Sequence, residues 1–475
     1  MKKKIGIMLA ALLTVLSCAF PAAAWAEVDF IVDYNYETPI QPIPKAYTLT
    51  KTIAYLGSEY GTLSAPQDLF VSDQDILYVA DTGNDRILRF NAAGEVDMAV
   101  EGAADDRLRG PQSVYADNYG AMYVADTGNN RIIKYSRSGK TVETFGTPKS
   151  DVLSADFVMS PRRVAVSSTG YLYVIRNQYI MQMDAYNNFR GYISAGDVGF
   201  DLWYQIRKWF STEKQQHSMQ KREPASCLSF DVAADGTLYV TTADAAGQLK
   251  KISSVSKNIY PKKDGFGYTV TVDGTAHTPY FTDLSVASDG LIFLLESWGG
   301  EIHVYDDGGN NLAVFGGIGE SADDFTDPIA VDTDSRGNVY VLDAAANCIK
   351  VFAPTRFMEL VTDAVTLYSN GDYVGAVDYW KQVTEIDSNY ALANKGFAKA
   401  YYKQGQYKLS MEHYEMCNDK AGYSAAFSKY RLEVLRQHFG WVVSAAVVLV
   451  VLVIVLIRLF LKRVGRVIRR YYSKI

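Results

Sequence analysis

The chain is 475 residues long and carries 47 Lys/Arg against 53 Asp/Glu, a formal charge of −6. That length allows two or three domains. The small net charge hides an asymmetry: without the three lysines at the start and the seven Lys/Arg after residue 457, 37 basic residues face 53 acidic ones, a balance of −16. Nucleic acid is thereby excluded as a partner, because it requires a basic footprint.

The first residues, MKKKIGIMLAALLTVLSCAFPAAAWA, combine lysines, an apolar run and the small-residue site Ala24-Trp25-Ala26. This pattern predicts a secretory signal over 1–26, with cleavage before Glu27 and a lipoprotein site at Cys18 as the alternative. Residues 27–46 read as a linker. Cys227, Cys348 and Cys417 lie downstream of that cut without close pairing, so no structural disulfide is expected.

A repeat dominates the chain between residues 47 and 355. Residues 77–90, LYVADTGNDRILRF, return at 122–135 as MYVADTGNNRIIKY. Pro66 and Pro111 stand twelve residues before Tyr78 and Tyr123. The same spacing links Pro161 to Tyr173 and Pro328 to Tyr340, and, with the proline replaced, Cys227 to Tyr239 and Phe281 to Phe293. Six units result. In each, the residues three and five after the start are apolar, with Thr333 the exception, and alternate with mostly polar neighbours as in a half-buried strand. Further short strands come after it: LYVAD, then RILRF after the DTGN turn, then a fourth such as TVETFG at 141–146. Four short antiparallel strands repeated six times predict a mainly β fold, a six-bladed β-propeller over 47–355. Asp81 and Asp126 suit the turn, Gly83 and Gly128 are expected to supply a left-handed backbone, and Arg86 and Arg131 to pair with nearby acids.

ADTGNDRI and ADTGNNRI resemble the signature of the NHL-repeat family, with Asp85 and Asn130 where the family has histidine. The resemblance covers about residues 47–355, strong in two blades and weak in blades three to five. It implies a six-bladed ring used mainly as a recognition platform, sometimes as an enzyme. It also implies closure of the last blade by a strand from the other terminus, for which YTLTKTIAYLG at 47–57 is the candidate. Two insertions interrupt the repeat, at 196–225 and 254–280. The first carries a helical-period aromatic stripe that includes Phe200, Trp203, Trp209 and Phe210, candidate partner-binding residues on the rim of the DTGN turns. The second reads as an extra hairpin.

From 356 to 438 the pattern becomes helical. Gly371 and Gly405, Tyr373 and Tyr407, and Trp380 and Tyr414 are each thirty-four residues apart. This resembles tetratricopeptide repeats, with Ser388 where proline is usual, and implies either a peptide-binding groove or a helical stalk. Residues 439–461 contain the uncharged run WVVSAAVVLVVLVIVLI, long enough to cross a bilayer once. The tail, 462–475, is basic and free of acids, which places it in the cytoplasm and the ring outside.

Catalytic signals are few. No HxH, HExxH, CxxC or GxSxG motif occurs among 475 residues with five histidines. The inner-strand positions two and four after each start include Asp68, Arg163, Asp231, Asp283 and Asp332. These either hold a cation or polar ligand in the channel or line a wet pore as paired side chains. No cofactor is expected. The chain therefore reads as a single-pass bacterial cell-membrane protein with an extracytoplasmic recognition or scaffold ring, whose partner is a transporter or envelope complex. The alternative is a lactonase-like lyase or hydrolase with a channel metal.

Overall fold

The computed structural model describes residues 29–33, 39–154, 156–193, 226–233, 235–244, 248–253, 257–260, 266–272 and 274–472. The aromatic insertion with Phe200, Trp203, Trp209 and Phe210 lies outside them. Two compact units divide the chain, residues 1–389 and 390–475.

The first unit holds a six-bladed propeller. Counted outward from the channel, blade one consists of Asp68–Val71, Leu77–Asp81, Arg86–Phe90 and Val96–Val100. Blade two repeats this with Pro111–Ala116, Met122–Asp126, Arg131–Tyr135 and Thr141–Phe145, and blade three with Pro161–Val166, Leu172–Arg176, Tyr179–Met183 and Phe189–Ile193. Blade four pairs Cys227–Val232, Leu238–Thr242 and Leu249–Ile252. In the insertion after it, Val270–Val272 and Thr275–His277 form a separate hairpin. Blade five begins at Phe281–Val286 and continues through Ile292–Glu296, Glu301–Tyr305 and Asn311–Gly316. Blade six comprises Pro328–Thr333, Val339–Asp343 and Cys348–Pro354, and its outermost strand is Tyr47–Ile53 from the other end of the chain. The innermost strands pack in circular order, and that of blade six returns to that of blade one.

Period-two alternation gives each blade two faces, and each face is buried only against a neighbour. Leu69, Val79 and Leu88 of blade one pack with Leu342 and Ile349 of blade six. Tyr78 and Ile87, on the other face of blade one, meet Val114, Val124 and Ile133 of blade two. Blades two to five are joined by similar apolar wedges. Between blades five and six the filling is aromatic: Tyr47 stacks on Phe315 at 4.4 Å, and Phe315 and Phe325 both touch Phe352. Burying one such side chain contributes ~1.5–3 kcal/mol.

Two expectations from the sequence are corrected. Residues 27–46 are more than a linker: Asp29–Val32 and Ile40–Ile43 pair with each other and extend the outer edge of blade five, where Phe30 lies opposite Val314 and the Val32 N–H donates to Asn311 Oδ1 at 2.9 Å. Nor are Gly83 and Gly128 the left-handed residues of the DTGN turns. That conformation belongs to Asp85 (φ 52°) and Asn130 (φ 55°). The glycines are needed for close approach, since a Cβ would come within 2.6 Å of the Ser64 carbonyl oxygen at Gly83 and 2.5 Å of that of Arg109 at Gly128.

Those contacts explain the repeat itself. Asp126 is fully buried; its Oδ1 accepts the Arg109 N–H at 2.8 Å, and its Oδ2 accepts Asn129 Nδ2 at 2.9 Å and Arg131 Nε at 2.7 Å. Asp81 does the same with Ser64, Asn84 and Arg86. The Thr82 and Thr127 hydroxyls donate to the Pro111 and Pro161 carbonyls, each the first residue of the next blade, at 2.6 Å. Blades five and six keep an acid there, Asp343 accepting the Thr326 N–H at 2.7 Å and Glu296 that of Tyr280 at 3.1 Å, whereas blades three and four have Arg176 and Thr242. In blades one and two the motif thus ties the chain entering the blade to that blade's own turn, and the turn to the start of the next blade.

After blade six, Thr355 caps a helix over Arg356–Ser369, and its hydroxyl also donates to the Lys45 carbonyl at 2.7 Å. This helix pairs with Ala376–Ile386. In the second unit Ala391–Lys403 pairs with Tyr407–Met416, and after them come Lys420–Gln437 and one continuous helix, Phe439–Tyr472. Asp126→Ala should leave Arg131 Nε and an entering N–H group without their acceptor, Asp106 still holding Arg131 Nη1, lowering stability by ~1–3 kcal/mol in denaturant titration, with far-UV circular dichroism of the folded state unchanged.

Candidate functional site

The innermost strand of every blade has one edge paired outward and one edge open to the channel. N–H groups on an open edge require partners. The N–H groups of Val71, Val114, Val164, Val286 and Val331 find them in side chains of the preceding blade.

Asp68 and Asp283, at position two of blades one and five, are buried. Asp68 Oδ2 accepts the Val114 N–H of blade two at 3.2 Å, and Asp283 Oδ2 that of Val331 in blade six at 3.0 Å. Arg163, at the same position of blade three, reaches both. Its Nη1 donates to Asp283 Oδ1 at 2.7 Å and lies 3.5 Å from Asp68 Oδ1. Asp231 and Asp332 stand two residues further along their strands, roughly 7 Å deeper, and are half-buried. Asp231 Oδ2 accepts the Val286 N–H of blade five at 2.8 Å, and Asp332 Oδ2 the Val71 N–H of blade one at 2.7 Å. All five sequence candidates thus line one channel. Arg163 joins Asp68 and Asp283 directly, while Asp231 and Asp332 form a separate tier.

Sequence reasoning missed the hydroxyls that complete the ring. Ser229 Oγ donates to Asp283 Oδ1 and Ser285 Oγ to Asp332 Oδ1, each at 2.6 Å. Tyr115 Oη donates to the Val166 carbonyl at 2.9 Å. All three occupy position two or four, so reading those positions for every polar residue, rather than for charge, would have found them.

Charge and burial compete here. Burial pushes the Asp68 carboxyl up to about 6, even though Arg163 pulls it down. Asp332 rises to about 8, first by burial and then by repulsion from Asp231, which is itself raised by burial. Burial would lower the Arg163 guanidinium, but Asp283 and Asp68 more than offset that and hold it charged.

A metal does not fit this donor set. The counter-charge between Asp68 and Asp283 is supplied by Arg163 Nη1, and the remaining carboxylate oxygens already accept N–H or O–H groups. Among the described residues no group of three or more His, Cys, Asp or Glu side chains is arranged to hold a metal ion. Above the guanidinium, toward the DTGN rim, a cavity of about 210 Å³ opens between Gln67, Gln112, Arg162 and Thr282, each at position one of its blade. Leu228 and Ile329, at position one of blades four and six, and Ile175 complete its wall, so the lining is mainly polar with an apolar side.

No protein-family model matches the chain, and no curated protein matches it. Solved structures do. A streptogramin B lyase is 11% identical, over 65% of this chain and 98% of that chain, with a TM-score of 0.41. For a virginiamycin B lyase from Staphylococcus aureus the values are 9%, 69%, 88% and 0.39. A gluconolactonase from Xanthomonas campestris gives 12%, 70%, 99% and 0.39. At such identities the likeness is one of fold alone.

The raised carboxyls set a sign for pH dependence. A folded-state value above the unfolded one means stability present at low pH and lost as the group is forced to ionise. Between about pH 4 and pH 8, Asp68 and then Asp332 should each withdraw stability. Thermal unfolding should therefore show Tm falling by ~2–4 °C from pH 5.5 to pH 8.5, with the upper part of that fall removed by Asp332→Asn.

Proposed function

We propose that the chain is a membrane-anchored recognition protein. The helix that begins at Phe439 holds it in the bacterial cell membrane, and the ring stands outside the cytoplasm, where its DTGN rim receives a ligand or protein partner of a transporter or envelope complex. The observation that carries this reading is the occupation of the channel's ionisable groups. Asp68, Asp231, Asp283 and Asp332 accept N–H groups from neighbouring strands, and Arg163 bridges two of them. Groups so engaged serve closure of the ring, and the counter-charge between Asp68 and Asp283 is Arg163 rather than a bound cation.

The anchor is supported by the helix itself. Within Phe439–Arg466 the most apolar 18-residue window has a mean hydropathy of 3.1, and none of that window is buried, unlike a core helix. The predicted signal sequence and the basic tail favour an outside ring and an inside C-terminus. The NHL-type character of the first two blades belongs to the same reading. So does the tetratricopeptide-like character of the helix pairs Arg356–Ser369/Ala376–Ile386 and Ala391–Lys403/Tyr407–Met416. Tetratricopeptide-type repeats stack into extended binding surfaces, and the resemblance of the ring implies mainly a recognition platform.

Photo-crosslinking in intact cells tests this. A crosslinker at Gln112, on the DTGN rim, should capture a reproducible envelope neighbour. One at Tyr119, 87% exposed in the turn at the opposite rim, should not capture it. Identical neighbours from both positions would contradict the rim assignment. A stoichiometric metal in the purified protein, lost on Asp68→Ala or Asp283→Ala, would replace the recognition reading with the enzymatic one.

A further inference from the structure

The C-terminal helix does not stop where a membrane span would. Its uncharged stretch, 439–457, measures about 28 Å at ~1.5 Å per residue, already close to the ~30 Å hydrocarbon thickness of a bilayer. Yet the helix continues without a break to Tyr472. The charges of this extension are not scattered. At ~100° per residue, Arg458, Lys462, Arg463, Arg466 and Arg469 fall within an arc of roughly 140°, with Leu459 the one apolar residue among them. Phe460, Leu461, Val464 and Ile468 lie on the opposite side. All four are exposed, from 36% at Val464 to 66% at Phe460. No acidic residue occurs after Glu433.

Neither uniform environment suits such a segment. Projecting straight into water, it would leave the apolar stripe exposed; sunk in hydrocarbon, it would bury five cations at high cost. A boundary with acyl chains on one side and negative charge on the other satisfies both faces. Tilt of the long helix is the ordinary way to bring such a segment to that boundary.

We infer that residues 458–469 form an anionic-lipid-binding segment at the membrane interface. The stripe Phe460, Leu461, Val464 and Ile468 enters the acyl boundary, and the basic arc grips the headgroups. The inference rests on the proposed crossing of the bilayer by 439–457 and adds a lipid preference to it. Because headgroup attraction is screened within a Debye length, the grip weakens with salt.

The test uses the full-length protein, with a polarity-sensitive fluorescent amino acid at Ile468, reconstituted in phosphatidylcholine vesicles with or without about one-third phosphatidylglycerol. In the anionic vesicles emission should shift to that of an apolar site. The shift should be lost in phosphatidylcholine alone, in high salt, and in the combined variant Lys462→Gln, Arg466→Gln, Arg469→Gln. Emission that is unchanged by lipid charge and by the triple substitution, while the protein still floats with the vesicles, overturns the lipid-binding inference alone. A probe buried equally in both lipids would mean that the stripe inserts without help from headgroup charge, and overturns it too. Loss of the protein from the vesicles after an alkaline wash overturns the bilayer-spanning reading along with it.

Discussion

Each blade of this ring begins with a strand that has a partner on one edge only. The other edge faces the channel with N–H groups that no sheet can pair, and an unpartnered buried N–H costs about as much as a lost hydrogen bond. The solution recurs at five of the six junctions: a carboxylate or hydroxyl at position two or four reaches sideways into the next blade. Asp68 reaches Val114, Ser113 reaches Val164 at 3.4 Å, Asp231 reaches Val286, Asp283 reaches Val331, and Asp332 reaches Val71. Apolar wedges supply the bulk of the attraction between blades, but they are non-directional. The side-chain bridges fix the register of one inner strand against the next. Gathering four carboxylates in one channel raises their mutual repulsion, and Arg163 relieves it in the upper tier.

The outer rim works by a parallel device. A buried acid at the end of the second strand holds the chain as it enters the same blade, and a threonine of the DTGN turn holds the first carbonyl of the next one. Blades with the full motif have both attachments; blades five and six keep the acid in altered form. Where the motif is kept, stability and repetition have one cause; blades three and four, with Arg176 and Thr242 in place of the acid, close without it.

Much of this was legible in the sequence, because the spacing from inner-strand start to second strand is rigid. It located Cys227 and Phe281 as blade starts even without proline, and it put all five charged candidates in the channel. The long-range, short-segment features were not legible. Asp29–Val32 and Ile40–Ile43 are four residues each and pair on blade five, nearly the whole ring away in sequence, so no local pattern marks them. The role of Gly83 and Gly128 depends on the approach of a carbonyl oxygen from Ser64 or Arg109, which only the folded turn brings near. Ser229 and Ser285 carry no charge and gave no signal until their acceptors were in place. The bridge from Arg163 to blades one and five depends on the width of the channel, which spacing within a strand does not contain.

The central claim is that the channel's charges hold the ring together. A double-mutant cycle on Arg163→Gln and Asp283→Asn, read as unfolding free energy in urea, tests it most directly. Residues kept for catalysis or ligand binding commonly tolerate replacement with unchanged or increased stability. Here each single substitution should destabilise, and the pair should show a coupling of ~1–3 kcal/mol. Coupling near zero, with either single variant as stable as the parent, would contradict the account and return these residues to a functional role.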